Sequence, residues 1–151
     1  KINGPVLPFE DATFDVVTSL MSFRYLDWDP LLAEIKRVMK PGGKFLIIDM
    51  VTVPVAISEY PRLLKDKMRT KRDQKANAQF DAALQKLVSH PDWKKMLEYN
   101  PIRSEHEMKW YLESRFPGQK MEILNMAWNS RMVAFDSGPV ERGVEAKLAY
   151  P

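Results

Sequence analysis

The sequence predicts an α/β fold: a parallel βαβ unit, then a helical insertion, then a closing antiparallel hairpin. Three observations predict it. Two short apolar runs, one starting at Phe14, Val16 and Val17 and ending at Thr18 and Ser19, the other spanning Phe45 to Ile48, flank a stretch in which Leu31, Ile35, Val38 and Met39 recur at helical spacing. Pro41-Gly42-Gly43 joins that stretch to the second run. Further on, Met121 to Met126 and Arg131 to Asp136 lie on either side of a short turn around Trp128-Asn129-Ser130.

Each element has a local reason. The apolar runs are continuous rather than alternating, which predicts strands covered on both faces, as in a parallel sheet. Asp29 is a good N-cap, and Pro30 fits the first helical position, where a missing N–H costs nothing. Pro41-Gly42-Gly43 stops the helix and turns the chain into the second strand, so the unit is a right-handed crossover. Pro54 and Pro61 punctuate the start of a long polar helical stretch, at whose far end Phe80, Ala83, Leu84, Leu87 and Val88 keep helical spacing. Pro91 and Asp92 start a shorter helix carrying Trp93, Met96 and Leu97. Ser104 to Glu107 reads as a capping box, SEHE, opening a helix that bears Met108, Tyr111 and Leu112. FPG ends that helix. From Ser137 the tail, with few large apolar residues, is expected to be mobile or to pack on a neighbour. The expected division is one domain: 1–51 the βαβ core, 52–103 the helical insertion, 104–136 the helix and hairpin, 137–151 the tail.

The segments LPFEDATFDVV, SLMSFRYL and LAEIKRVMKPGGKFLIID, in that order and spacing, resemble the second half of a class I S-adenosylmethionine-dependent methyltransferase of the small-molecule group. The close resemblance covers roughly a third of the chain, with a looser match near the C-terminus. It implies the second half of a Rossmann-like sheet, S-adenosylmethionine as cofactor and a small-molecule substrate. In the family the preceding half carries a glycine-rich loop and an acidic residue that binds the ribose. No GxGxG occurs here, and the chain enters the family pattern mid-domain, which leads to the expectation of a fragment, inactive alone.

Composition sets bounds. A chain of 151 residues can form one domain and bury roughly 70% of its unfolded surface. Without cysteine there is neither a disulfide framework nor a thiolate metal site, which fits a reducing, cytoplasmic compartment. No apolar run approaches the ~20 residues of a membrane span, and no membrane partner is expected. The net charge of +3 does not argue for nucleic acid. KDKMRTKRDQK reads either as a basic patch for nucleic acid or an anionic substrate, or as a solvated helix face. Asp66, Asp73 and the lack of interleaved aromatics favour the solvated face.

Ligands in open α/β sheets sit beyond the carboxyl ends of the strands, which directs attention to Ser19 through Tyr25. The resemblance places Ser19, Leu20 and Met21 against the cofactor with Phe23 nearby, and gives Asn3 and Gly4 the adenine edge. For Leu20 a place in the core is the favoured alternative. Arg24 and Tyr25 stand where many relatives carry histidines, so they are assigned to the substrate side. Asp49 closes the second strand on the same edge. Its carboxylate would either accept a proton from the substrate or bind backbone N–H groups of the next loop. An insertion after the second strand commonly caps the substrate pocket in this fold. It is therefore expected to be a lid, with Tyr60, Arg62, Trp93 and Tyr99 facing the pocket. Neither His90 nor His106 has a second ligand at metal spacing, so no metal is assigned.

Two function classes follow: a methyltransferase of a small molecule, and a non-catalytic interaction module derived from that fold. The first strand is expected to present an open hydrophobic edge that invites self-association.

Overall fold

In the computed structural model, residues 6–99, 102–128 and 130–141 are described. Asn3 and Gly4 lie outside them. The elements are β1 (Phe14–Leu20), α1 (Trp28–Val38), β2 (Met39–Thr52), α2 (Tyr60–Ala76), α3 (Ala78–Val88), α4 (Pro91–Tyr99), α5 (Glu105–Arg115), β3 (Glu122–Met126) and β4 (Ser130–Asp136), with single 3₁₀ turns at Phe23–Tyr25 and Ile57–Glu59. The four strands form one mixed sheet in the order β1-β2-β4-β3. β1 runs parallel to β2, while β4 lies antiparallel to both β2 and β3.

The helix after β1 starts earlier than its proline suggests. Its cap is Asp27, because Trp28 is drawn into the core, stacks on Phe23 at 5.3 Å and donates its indole N–H to Phe23 O at 3.0 Å. Asp29, released from capping, accepts from the Tyr111 hydroxyl at 2.9 Å and from Arg115 Nη2 at 3.0 Å, tying α1 to α5. Burial and this hydrogen bond together push the Tyr111 phenol pKa well above its ordinary value.

Pro41-Gly42-Gly43 is not a break before β2 but a bulge within it. Phe14 lies opposite Met39 and Val16 opposite Lys44, and the extra residues loop out at Gly42, whose φ is +77°. At Gly43 a Cβ would meet Lys40 O at 2.9 Å and Asp15 O at 3.0 Å, so only glycine fits. Val140 pairs with this bulge through Gly42 N–H and Gly43 O, and Ser137 bonds Phe45 on both its N–H and its carbonyl. The tail is therefore tied to β2 as far as Val140; residues 142–151 lie outside the described set.

β2 buries Phe45, Ile47 and Val51 against α1 and α5, with Leu32, Ile35, Met108, Leu112, Val133 and Phe135 completing the core. The opposite face of the sheet, carrying Val16, Leu20, Ile48 and Met132, is open among the described residues. The expectation of strands covered on both faces thus holds for one face only. Continuous apolarity records what a strand can bury, not what arrives to cover it. Leu20 lies on the open face, 68% exposed, which corrects its reading as core.

α2 lies along the outer edge of β3 and covers it with charge. Arg62 Nη2 donates to Ile123 O at 2.8 Å, Arg69 Nη2 to Leu124 O at 3.3 Å, and Asp66 Oδ2 accepts from Met126 N–H at 3.2 Å. These three residues fall on successive turns of one helix face. A side chain from each turn thus occupies backbone groups that an edge strand otherwise leaves open.

Candidate active site at the carboxyl edge of the sheet

β1 and β2 point their carboxyl ends the same way, and the residues after β1 form the edge. Met21 continues the ladder by one bond, N–H to Ile48 O at 2.7 Å, but does so in the left-handed region at φ +53°. A methionine held there is strained by about 1–3 kcal/mol, and such strain gathers at functional turns. Ser19 Oγ and Ser22 Oγ sit 3.0 Å apart across this turn.

The turn then folds inward. Phe23 is wholly buried between Trp28, Phe45 and Tyr111, so its side chain serves the core rather than the open edge. Arg24 is 5% exposed, and its Nη1 lies 2.6 Å from Oδ1 of Asp49, which is 0% exposed. Asp49 Oδ2 accepts from Arg24 N–H at 2.9 Å and Oδ1 from Met50 N–H at 2.7 Å. Asp49 does bind backbone N–H groups, but those of Arg24 in the turn after β1 and of Met50 within β2 rather than of the loop that follows, and a guanidinium is added. A buried carboxylate so surrounded has no face turned to a substrate. Arg24 is likewise withdrawn from solvent, and its Nη2 donates to the Tyr25 hydroxyl at 2.7 Å. Tyr25 is half-buried, its ring 4.5 Å from Arg24 Cζ.

The residues assigned to the substrate side divide. Tyr60 lines a groove of roughly 780 Å³ between α2 and the β3–β4 turn, together with Leu63, Leu64, Met126 and Trp128. Arg62 is engaged with the β3 edge. Trp93, half-buried on α4, does not line this groove. Tyr99 ends α4, and its side chain lies outside the described set.

Arg131 was not singled out by the sequence. It is buried, with Nη2 2.7 Å from Glu59 Oε2 and Nη1 2.7 Å from Glu105 Oε2. It thereby joins the start of α2, the middle of the sheet and the start of α5. Its partners are 72 and 26 positions away in sequence, and no local pattern announces them. Among the described residues no group of three His, Cys, Asp or Glu side chains could hold a metal. Among them, too, no helix is long and apolar enough to cross a membrane.

The sequence pattern of the methyltransferase domain family matches residues 3–47, which run through β1, the edge turn, α1 and the first half of β2. Over that stretch the chain resembles the class I S-adenosylmethionine-dependent methyltransferases. S-adenosylmethionine is the cofactor of that family. Over 46 residues, 30% of its length, the chain is 48% identical to the sterol 4-C-methyltransferase strm-1 of Caenorhabditis elegans, covering 14% of that protein. Over 132 residues, 83% of its length, it is 31% identical to the ubiquinone/menaquinone biosynthesis C-methyltransferase UbiE of Hydrogenovibrio crunogenus, covering 46% of it. It therefore spans less than half the length of these curated relatives. The crystal structure of geranyl diphosphate C-methyltransferase from Streptomyces coelicolor superposes with a TM-score of 0.50 at 11% identity, over 90% of this chain and 50% of that one. That likeness is one of fold.

Proposed function

We propose that these residues form the acceptor side of a methyltransferase that acts on a small molecule in the cytoplasm, with α2 to α4 as a lid over the acceptor. The observation that carries the reading is the edge turn. Within the segment that matches the family, the chain stops β1 at an exposed Leu20 and holds Met21 in a strained conformation. Rigid backbone of that kind is suited to positioning a ligand.

The residues present fit part of the cofactor. Leu20 and Met21 offer apolar surface for an adenine face, and the Ser19 hydroxyl offers a donor and an acceptor beside it. Asn3 and Gly4 would meet the adenine edge. When bound, S-adenosylmethionine brings a methyl already activated on a sulfonium, so the protein needs to align the acceptor and exclude water. Arg24 and Asp49 act in this scheme as positioning residues that fix the turn from beneath. Tyr25 and Tyr60 stand on the acceptor side. No glycine-rich loop occurs in the 151 residues, so methyl transfer by this chain alone is not expected.

The test is saturation-transfer NMR of the chain with S-adenosylhomocysteine. Transfer to the adenine protons, lost in Leu20→Asp and Met21→Asp, is the expected result. No transfer at millimolar ligand would sink the reading. Calorimetric binding at micromolar strength, about 8 kcal/mol, would mean that the site is more complete than this reading allows.

The interaction-module reading has an observation of its own. β1 is an edge strand with Val16 48% exposed beside Leu20. Self-association through that edge should appear in sedimentation velocity as a species larger than a monomer, and Val16→Lys should abolish it. A monomer at every concentration would remove this reading.

A further inference from the structure

The groove between α2 and the β3–β4 turn has two chemically distinct ends. Leu63 forms a buried floor, and Tyr60, Leu64, Met126 and Trp128 line one part. Leu64 is 62% and Trp128 60% exposed, and the rings of Tyr60 and Trp128 meet edge to face at 5.9 Å. Large apolar side chains left open together in a concavity lose solvation free energy until something apolar lies on them.

Further along α2 the lining turns polar: Lys67, Thr70, Lys71 and Gln74. Lys67 and Lys71 are four residues apart, on one helix face. Neither is paired with a carboxylate among the described residues, whereas the arginines of the same helix are all engaged. Arg62 and Arg69 share Asp66, and Arg72 faces Asp73 at 3.9 Å. Asp66 is turned to the β3 edge, away from the two lysines. The groove thus holds uncompensated positive charge at one end and bare apolar surface at the other. Tyr60 and Lys71 are separated by about 16 Å of helix, the reach of a hydrocarbon chain rather than of a small polar metabolite.

We infer that this groove binds a single-chain amphiphile with an anionic head, its tail on Tyr60, Leu64 and Trp128 and its head against Lys67 and Lys71. The inference rests on the acceptor reading above and names the class of the acceptor. The groove's volume, roughly 780 Å³, suits one such molecule. The β3–β4 turn lies at the same end of the sheet as Thr52 and the edge turn, since Thr52 pairs with Ser130 and Leu20 with Ile48.

The probe is dodecyl phosphate below its micellar concentration, with dodecanol and inorganic phosphate for comparison, read by tryptophan emission of the 151-residue chain. Dodecyl phosphate should shift the emission saturably at one per chain, and Trp128→Phe should remove the shift. Inorganic phosphate alone should do nothing. Replacing Lys67 and Lys71 together by Glu should weaken dodecyl phosphate at least about tenfold through loss of charge-assisted contacts, with dodecanol unaffected. Leu64→Gln, at an exposed site that folding does not depend on, should weaken both. Equal affinity in the double lysine variant, or no saturable shift, overturns the inference. So does co-sedimentation with phosphatidylglycerol vesicles in the absence of one-to-one dodecyl phosphate binding, which would make the surface a membrane contact. The S-adenosylhomocysteine signal of the parent chain separates the two readings. If that signal is present while dodecyl phosphate fails to bind the parent chain, the groove inference alone falls. If dodecyl phosphate binds and the cofactor signal is absent in the parent chain, the groove stands and the transferase reading falls.

Discussion

Arg24 and Asp49 form an ion pair at 2.6 Å with both side chains withdrawn from solvent, directly beneath the turn at Met21. Taking away one member leaves the other charge buried alone. Asp49→Ala should therefore cost about 3–5 kcal/mol in urea unfolding, while replacing both residues by Met and Leu should recover most of it. An unfolding midpoint unchanged in Asp49→Ala would free the carboxylate for work on a substrate.

Arg131 offers a second such test. Its two glutamate partners are partly open to water, which moderates the loss, so Arg131→Met should cost about 2 kcal/mol. The more specific readout is hydrogen exchange. Amides at the start of α2 and of α5 should lose protection together, because Glu59 and Glu105 are released at once. Loss at one helix only would show that the bridge is not shared.

At the far edge of the sheet, Asp66→Ala should leave the Met126 N–H with Asn125 Oδ1 as its remaining acceptor and Arg62 and Arg69 without their common carboxylate. The expected cost is about 1–3 kcal/mol, with α2 loosening before the sheet in a proteolysis time course. Simultaneous cleavage of α2 and the sheet would contradict this order.

Glu34 carries a pH dependence. Its hydrogen bond with Arg37, then the Leu7 N–H, hold its carboxyl down to about 2 from 4.5. Arg37 in turn donates to Leu7 O and Phe9 O, so this pair clasps the loop before β1 against α1. A lowered carboxyl pKa contributes stability that is complete above about 4.5 and is lost as pH falls toward about 2. The Leu7 amide should stay protected at pH 5 and exchange freely near pH 2. In Glu34→Gln the protection should be weak at both values.

The parts of this fold that depend on local spacing were legible. The strand pair around Pro41-Gly42-Gly43, the hairpin after Phe116 and the Ser104 cap, which accepts from Glu107 N–H at 3.1 Å, are all written within a few residues of themselves. What escaped depends on distant partners. Trp28 moved the start of α1 because Phe23 and Tyr111 hold it. The inward turn of Arg24 depends on a carboxylate 25 residues on, and nothing near Arg24 signals it. In KDKMRTKRDQK and the turn before it a signal did exist. Arg62, Asp66 and Arg69 fall on one face, while Lys67 and Lys71 fall on another, and the difference in side chain was the clue. The planar guanidinium serves fixed carbonyls, whereas lysine stays in water.

The treatment of the two sheet edges also sets how copies of this chain could join. α2 occupies the Ile123 and Leu124 carbonyls and the Met126 N–H of β3, whereas among the described residues no strand pairs with the outer edge of β1. Strand pairing between copies is therefore monovalent: two chains meeting edge to edge exhaust it. A cross-β fibre needs units that accept a neighbour above and below. Among the described residues this sheet can close a pair, with α2 standing on the second side from which a filament would grow.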